Sequence, residues 1–384
     1  MIRHRPAVLL AVLCSPALLA GIVSGALIPS NIKSSSTPAA FRGQIVEAIN
    51  KEMAALANGK PADQKMAREH LIAEAEGHDG VTATPEYQAE YATDIAAALV
   101  PLTDARRPLR VRLNAAVVAG RVAESVHGAG AADQFAKLSE ALLKDKETAV
   151  VIWGMKTAKY AVGSMVQNGG NVSAFDKLIV NTVKTNRGSG PIVEEAYGAL
   201  TLEPYQTSEQ ITKLTAAVLP DLLDLIQLRT EQYRSQDLPP SPLAEDKVDR
   251  FLPLAGFPAV KASAQTKNRT LKVMGEMTCA VLHTIADGNT SEDLIAIARE
   301  DGSAMLVFGE QLGDKTLSGA GQGIKDIPLN PASDQLRARC GGLADALKAM
   351  GVSIETPFAV DNGSSAGDNG QTSTEAPAVA GSGK

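Results

Sequence analysis

Aromatic side chains make up only 4% of the 384 residues, with a single tryptophan, Trp153. That scarcity argues against a β-sandwich, whose two inner faces need large residues to fill them. It also removes the stacking platforms that hold single-stranded nucleic acid. Positive charge is in deficit too, since 37 Lys and Arg face 43 Asp and Glu for a formal net charge of −6. A nucleic-acid binder must replace the counterions of its phosphates and shows the opposite balance, so no nucleic-acid partner is expected. The five histidines and three cysteines supply no metal framework. No HExxH or GxSxG stretch occurs. "GEQLGDKT" (309–316) falls one residue short of a phosphate loop, and no strand precedes it. Gly319, Gly321 and Gly323 read as a loop rather than a pyrophosphate cradle. No cofactor is expected.

What is present points to an exported helical protein. Hydrophobic residues are 45% and charged residues 21%, values of a chain that folds. A basic start (Arg3, Arg5), an apolar stretch from Pro6 to Val23 and the small residues of "SGALIPS" have the three-part layout of a secretory signal, with cleavage expected after Ala26. Secretion or a periplasmic location follows. An uncleaved, membrane-anchoring N-terminus is the alternative, because the apolar stretch approaches the roughly 17–25 residues that span a bilayer. Outside the signal only Cys279 and Cys340 remain. They are read either as a disulfide, favoured in an oxidising compartment, or as two buried thiols.

From Thr37 the chain reads as successive helices. Thr37-Pro38 opens the first, with Ile45, Ile49, Met53 and Leu56 on one face and Gly59 as its stop. A second runs from Pro61 to Glu76, a third from Thr84-Pro85 to about Leu102, and a fourth begins near Pro108. "FAKLSEALL" (135–143) and "FDKLIVNTV" (175–183) repeat at an offset of 40, each followed by a second apolar helix. Such pairs cannot bury their faces alone and must stack. A long helix follows near 208–234, with Ser208 as its cap and a kink expected at Pro220. "QDLPPSPLAED" marks a domain boundary or a long inter-repeat loop. More helices are expected at 259–286, 291–312 and 333–350, so repeats over 38–234 are followed by a C-terminal helical region, 244–352. Residues 353–384, above all the Gly/Ser/Thr-rich stretch from Asp361, read as a disordered tail.

The stretch "LVPLTDARRPLRVRLNAAVVAGRVAE" (99–124) resembles a HEAT repeat: a Leu-rich turn, an Asp, then a helix with a Val-Arg pair, Ala-Ala and a late Gly. The resemblance implies an all-α solenoid of antiparallel helix pairs, in which Asp104 and Arg112 bond across neighbouring repeats. Later units depart from the pattern, with Val151 and Val193 near the Arg position. A generic helical bundle is the competing architecture.

The expected function is non-catalytic binding or scaffolding of a protein or peptide, with a membrane as partner only if the N-terminal segment stays attached. Arg106, Arg107 and Arg110 form the densest positive group in an acidic chain and are the candidate contact residues, since guanidinium groups suit paired contacts to anions. The rival is a metal-dependent helical protein using Glu276, Cys279 and His283, which share a helix face at spacings of three and four, with Glu310 nearby. The sequons at Asn171 and Asn268 matter only in a glycosylating host.

Overall fold

A computed structural model describes residues 27–77, 82–235 and 239–358. The expected signal, residues 1–26, and the tail from residue 359 lie outside them. The described residues are 77% helical, with no strand among them. In order the helices are α1 (Ser30–Lys33), α2 (Arg42–Asn58), α3 (Pro61–Glu76), α4 (Pro85–Leu99), α5 (Leu109–Val126), α6 (Ala136–Leu143), α7 (Thr148–Gln167) and α8 (Ser173–Thr185). They continue as α9 (Gly190–Leu200), α10 (Ile211–Arg234), α11 (Asp246–Phe251), α12 (Phe257–Val260), α13 (Ala264–Ala286), α14 (Glu292–Leu312), α15 (Lys315–Lys325) and α16 (Ser333–Ala349).

Local signals set most of these boundaries. The Thr84 hydroxyl accepts from the Tyr87 amide and Pro85 fills the first helical position of α4. Ser263, Ser291 and Asp314 cap α13, α14 and α15 in the same way. Thr37-Pro38 opens only a 3₁₀ turn, with no side-chain cap, and α2 begins at Arg42. Ser208 stands outside α10, which starts at Ile211 and continues through Pro220. The stripes read from the sequence are inside: Ile45, Ile49, Met53 and Leu56 on α2, and Leu214, Val218, Leu222 and Leu225 on α10.

Neighbouring helices form antiparallel hairpins, and most also pack on the helix two further along. α2 lies against α3, α4 against α5, and α6 against α7, while α3 packs on α5, α5 on α7 and α7 on α9. Those last contacts are parallel. Along α5 and α7 the sequence of contacts is Arg112 with Asp145, Gly120 with Trp153, and His127 with Tyr160. Along α3 and α5 it is Arg68 with Asn114, then Glu76 with Ser125. Along α7 and α9 it is Lys156 with Glu195, then Lys159 against Gly198.

Small residues permit this closeness. A Cβ on Gly154 would lie 2.8 Å from Leu142 Cβ and 3.1 Å from the Leu143 amide, so α6 sits directly on the α7 backbone. The tightest pair is α14 with α15, and here the structure corrects the sequence. Gly319, Gly321 and Gly323 are not in a loop but within α15. Gly321 faces the backbone of α14, and a Cβ there would come 2.3 Å from the Leu306 amide. Gly302 and Gly309 of α14 answer with equally close approaches to the Lys325 and Ser318 amides, each 2.4 Å from a notional Cβ. Burial of the α15 stripe Leu317 and Ile324 against α14 offsets the poor helix propensity of glycine.

One apolar cluster runs from Ile28 to Val150 and a second from Leu143 to Phe358. The second spans the Pro-rich stretch expected to be a boundary or inter-repeat loop. Arg229 of α10, fully buried, pins that stretch by donating to Glu245 (2.7 Å), the Pro240 carbonyl (3.0 Å) and Gln232 (3.0 Å). The first residues of the expected tail, up to Phe358, are among the described residues. Val352 and Phe358 are buried, and residues 352–358 lie as a strap on α13.

Replacing Gly321 with Ala should therefore destabilise by about 1–3 kcal/mol, the usual cost of overpacking, despite alanine's better propensity. Urea unfolding of Gly321→Ala beside Gly319→Ala, where a Cβ meets open space, checks this; equal stability of the two would refute the close contact.

Candidate docking surfaces

The first surface is a groove across α5, α7 and α9. On α7, Trp153, Lys156 and Tyr160 recur at spacings of three and four and so share a face. Arg121 and Glu124 of α5 and Glu195 of α9 complete a hollow of about 400 Å³. Lys156 Nζ stands 4.7 Å above the Trp153 ring and 3.9 Å from Glu195. Lys159 lies between Glu195 (3.8 Å) and Glu203 (3.2 Å). One end is fixed by the Tyr205 phenol, which donates to the Tyr160 carbonyl at 2.6 Å, while His127 stacks on the Tyr160 ring at 5.3 Å. Burial pushes the Tyr205 phenol up to about 12 and moves Tyr160 upward as well, helped by the charge of Glu124. Both are neutral hydrogen-bonding groups near neutral pH.

The second surface is the arginine turn between α4 and α5. Asp104 does not reach a neighbouring unit, as the HEAT resemblance implied; it is taken up locally by Arg106. Its carboxylate accepts from the Arg106 amide at 2.9 Å and from the guanidinium at 2.5 Å. Those hydrogen bonds hold the Asp104 carboxyl well below the usual carboxylate range. The short two-residue separation makes this closure simpler than a bond across units. Arg112 does cross: 2% exposed, it pairs with Asp145 in the α6–α7 connection and donates to the Arg107 carbonyl at 3.2 Å. Arg106, Arg107 and Arg110 are all exposed. Arg110 lines a hollow of about 490 Å³ between the first turns of α3 and α5, with Lys65 and Arg68.

The residues of the metal reading are occupied otherwise. Cys279 and Cys340 are bonded to each other, tying α13 to α16, so no thiolate is available. Glu276 pairs with Lys272 and accepts from the Glu355 amide at 3.0 Å, holding the strap. His283 faces Asp287 at 3.2 Å and packs on Phe358, ring centroids 5.0 Å apart. Glu310 is exposed on α14. Among the described residues no three His, Cys, Asp or Glu side chains gather as a metal site.

Sequence reasoning missed the buried acids, because an Asp in a helix reads as a solvated face until the fold covers it. Asp249 and Asp301, 4% and 0% exposed, are buried near each other and near Glu245; burial drives both well above the usual carboxylate range, and the neighbouring negative charges add to it. Asp176 of α8 is fully buried, with no hydrogen-bond partner for either carboxyl oxygen among the described residues. Burial, with the charge of Asp221 adding to it, raises Asp176 to about 8. These groups are enclosed by the helices around them.

Two measurements follow. Between the unfolded carboxylate value near ~4 and about 8, folded Asp176 keeps a proton that the unfolded chain has lost. Its contribution thus falls as pH rises, by on the order of 1 kcal/mol per unit. Urea unfolding at pH 5 and pH 8.5 should show Asp176→Asn losing less stability than the parent; parallel losses would show that the carboxyl is not the cause. The disulfide closes a loop with a sequence separation of 61. Replacing both cysteines with Ser should cost about 4 kcal/mol by the chain-entropy argument. A change below about 1 kcal/mol would contradict it.

Compared with known protein families and with curated proteins, this chain matches no family and no relative.

Proposed function

We propose that the chain is an exported, non-catalytic docking protein. Its helices from α2 to α10 stack as HEAT-like pairs into an α-solenoid, and the α5/α7/α9 groove receives a protein or peptide partner. The next-but-one, parallel packing of α3, α5, α7 and α9 supports the solenoid, since that is how stacked hairpins extend a face from unit to unit. The observation carrying the docking reading is a groove built by three successive units around Trp153 and Tyr160, with Arg121 at its wall. Trp, Tyr and Arg are the residue types on which binding energy concentrates. The alternation of Lys156, Lys159, Glu124 and Glu195 suits a peptide carrying both charges, which would exchange intramolecular pairs for intermolecular ones. Export is supported by the N-terminal layout and by the Cys279–Cys340 bond, which persists in oxidising compartments. No helix among the described residues is long and apolar enough to cross a membrane.

Selection of displayed peptides on the purified chain tests this. Peptides recovered on the parent should bind Trp153→Ala and Arg121→Glu at least about tenfold more weakly, a loss of ~1.4 kcal/mol. Arg121 is exposed, so its variant keeps the fold while altering the wall. Recovery of no peptide, or of peptides indifferent to both changes, would remove the groove as a docking site.

A further inference from the structure

We propose that the edge formed by the connections leading into α3, α5, α7 and α9 docks on an anionic lipid bilayer. Because these four helices run parallel, their starts lie along one edge, and so do the connections 59–60, 100–108, 144–147 and 186–189. Every one of them carries cations. Lys60, Arg107, Arg110, Lys144, Lys146 and Arg187 are exposed and make no ion pair among the described residues. Of the acidic groups interspersed there, Asp104 is paired by Arg106 and Asp145 by Arg112, leaving Glu147 and Asp63, which accepts from the Lys60 amide at 3.1 Å. The returning connections on the opposite edge have the reverse character. Among their described residues there is no Lys or Arg, and they hold Asp133, Glu209 and Glu203, the last paired with Lys159 and Lys247 from flanking helices. Such segregation in a chain of net charge −6 gives one edge a positive potential that the whole molecule lacks.

A second observation selects the kind of polyanion. Six large hydrophobic residues are strongly exposed among the described residues, and four stand on this edge. Val100 (49% exposed) and Leu109 (43%) flank the arginine turn, and Met66 (52%) lies in the second turn of α3. Leu243 (50%) belongs to the segment whose Ser241 packs against Gly190, the first residue of α9. A nucleic acid or acidic polysaccharide offers nothing to single aliphatic tips set among cations. A bilayer of acidic lipids takes both, the cations at the headgroup phosphates and the tips at the headgroup–acyl boundary. The described chain begins at the other edge, where the Leu27 amide donates to Glu74 near the end of α3. Docking through the basic edge reaches beyond the groove of the docking reading, which lies on the sides of the same helices.

The test is co-sedimentation of the full chain with phosphatidylcholine vesicles and with mixed phosphatidylcholine–phosphatidylglycerol vesicles. The readout is the excess binding to the second, which cancels any contribution of the apolar N-terminal stretch common to both. An excess is expected, and the combined change Arg107→Ala, Arg110→Ala, Lys144→Ala, Lys146→Ala should reduce it on the order of 1,000-fold. These side chains are exposed, so circular dichroism should show an unaltered fold. Val100→Ser with Leu109→Ser should remove the part of the excess that survives added salt, while Glu209→Gln on the opposite edge should change nothing. Absence of an excess, an excess indifferent to the four alanines, or binding abolished by salt and indifferent to Val100 and Leu109 would each overturn the proposal. Loss of a selected acidic peptide in the four-alanine variant, without any lipid excess, would mark the edge as a protein-binding surface and overturn it likewise.

Discussion

The packing of α5 on α7 is the contact on which the rest of the molecule depends. Ala115, Ala116, Ala119, Gly120 and Ala123 alternate with Val111, Val118, Val122 and Val126 among the buried residues of α5, and a Cβ on Gly120 would stand 2.8 Å from the Trp153 ring. Two helices approach this closely only when small residues line the crossing, and dispersion then replaces the large side chains that the chain lacks. The same α7 receives α6 over Gly154 and α9 on its other flank, so it is sealed on three sides. Its first turn also joins the two apolar clusters, Val150 belonging to one and Val151 to the other. Beyond α9 the packing continues through α10, which contacts α13, and α13 in turn contacts α14 and α16.

Buried charges set the alignment of these rods. Lys33 with Glu74 (2.8 Å), Arg112 with Asp145, and Arg229 with Glu245 are each nearly or fully removed from water. Desolvation cancels much of the attraction in such pairs, so they are better regarded as devices that penalise wrong register than as sources of net stability. Each joins a helix to a connection or a neighbour distant in sequence. A slip by one turn would leave an ion stranded in an apolar core. The arrangement also explains why the arginine turn divides its labour: Arg112 is spent inside, Arg106 is closed on Asp104, and Arg107 and Arg110 are left facing solvent.

Much of the helical order was legible from local chemistry. Thr84-Pro85, the buried stripe of α2 and the Phe-Lys-Leu recurrence at 135–143 and 175–183 depend on neighbours within a turn or two, which a sequence displays directly. What escaped depends on partners far along the chain. Gly319, Gly321 and Gly323 signal a loop by their own preference, and only α14, lying against them, makes them helical. Glu276 and His283 share a face as metal ligands would, yet that face is covered by residues 352–358. The resemblance implies that Asp104 and Arg112 each bond to a neighbouring unit, whereas Asp104 meets Arg106 within its own turn and Arg112 meets an aspartate 33 positions later. The charged edge is written in the sequence as cations in alternate connections, but reading it requires knowing that α3, α5, α7 and α9 are parallel.

That parallel order is the central claim, and distances between spin labels test it most directly. With cysteines introduced pairwise at positions 60, 107, 146 and 187, stacked units should give separations that grow steadily along the chain, by about 10 Å for each helix-to-helix step. A 60–187 distance shorter than 60–146, as in rods gathered round one centre, would contradict the account.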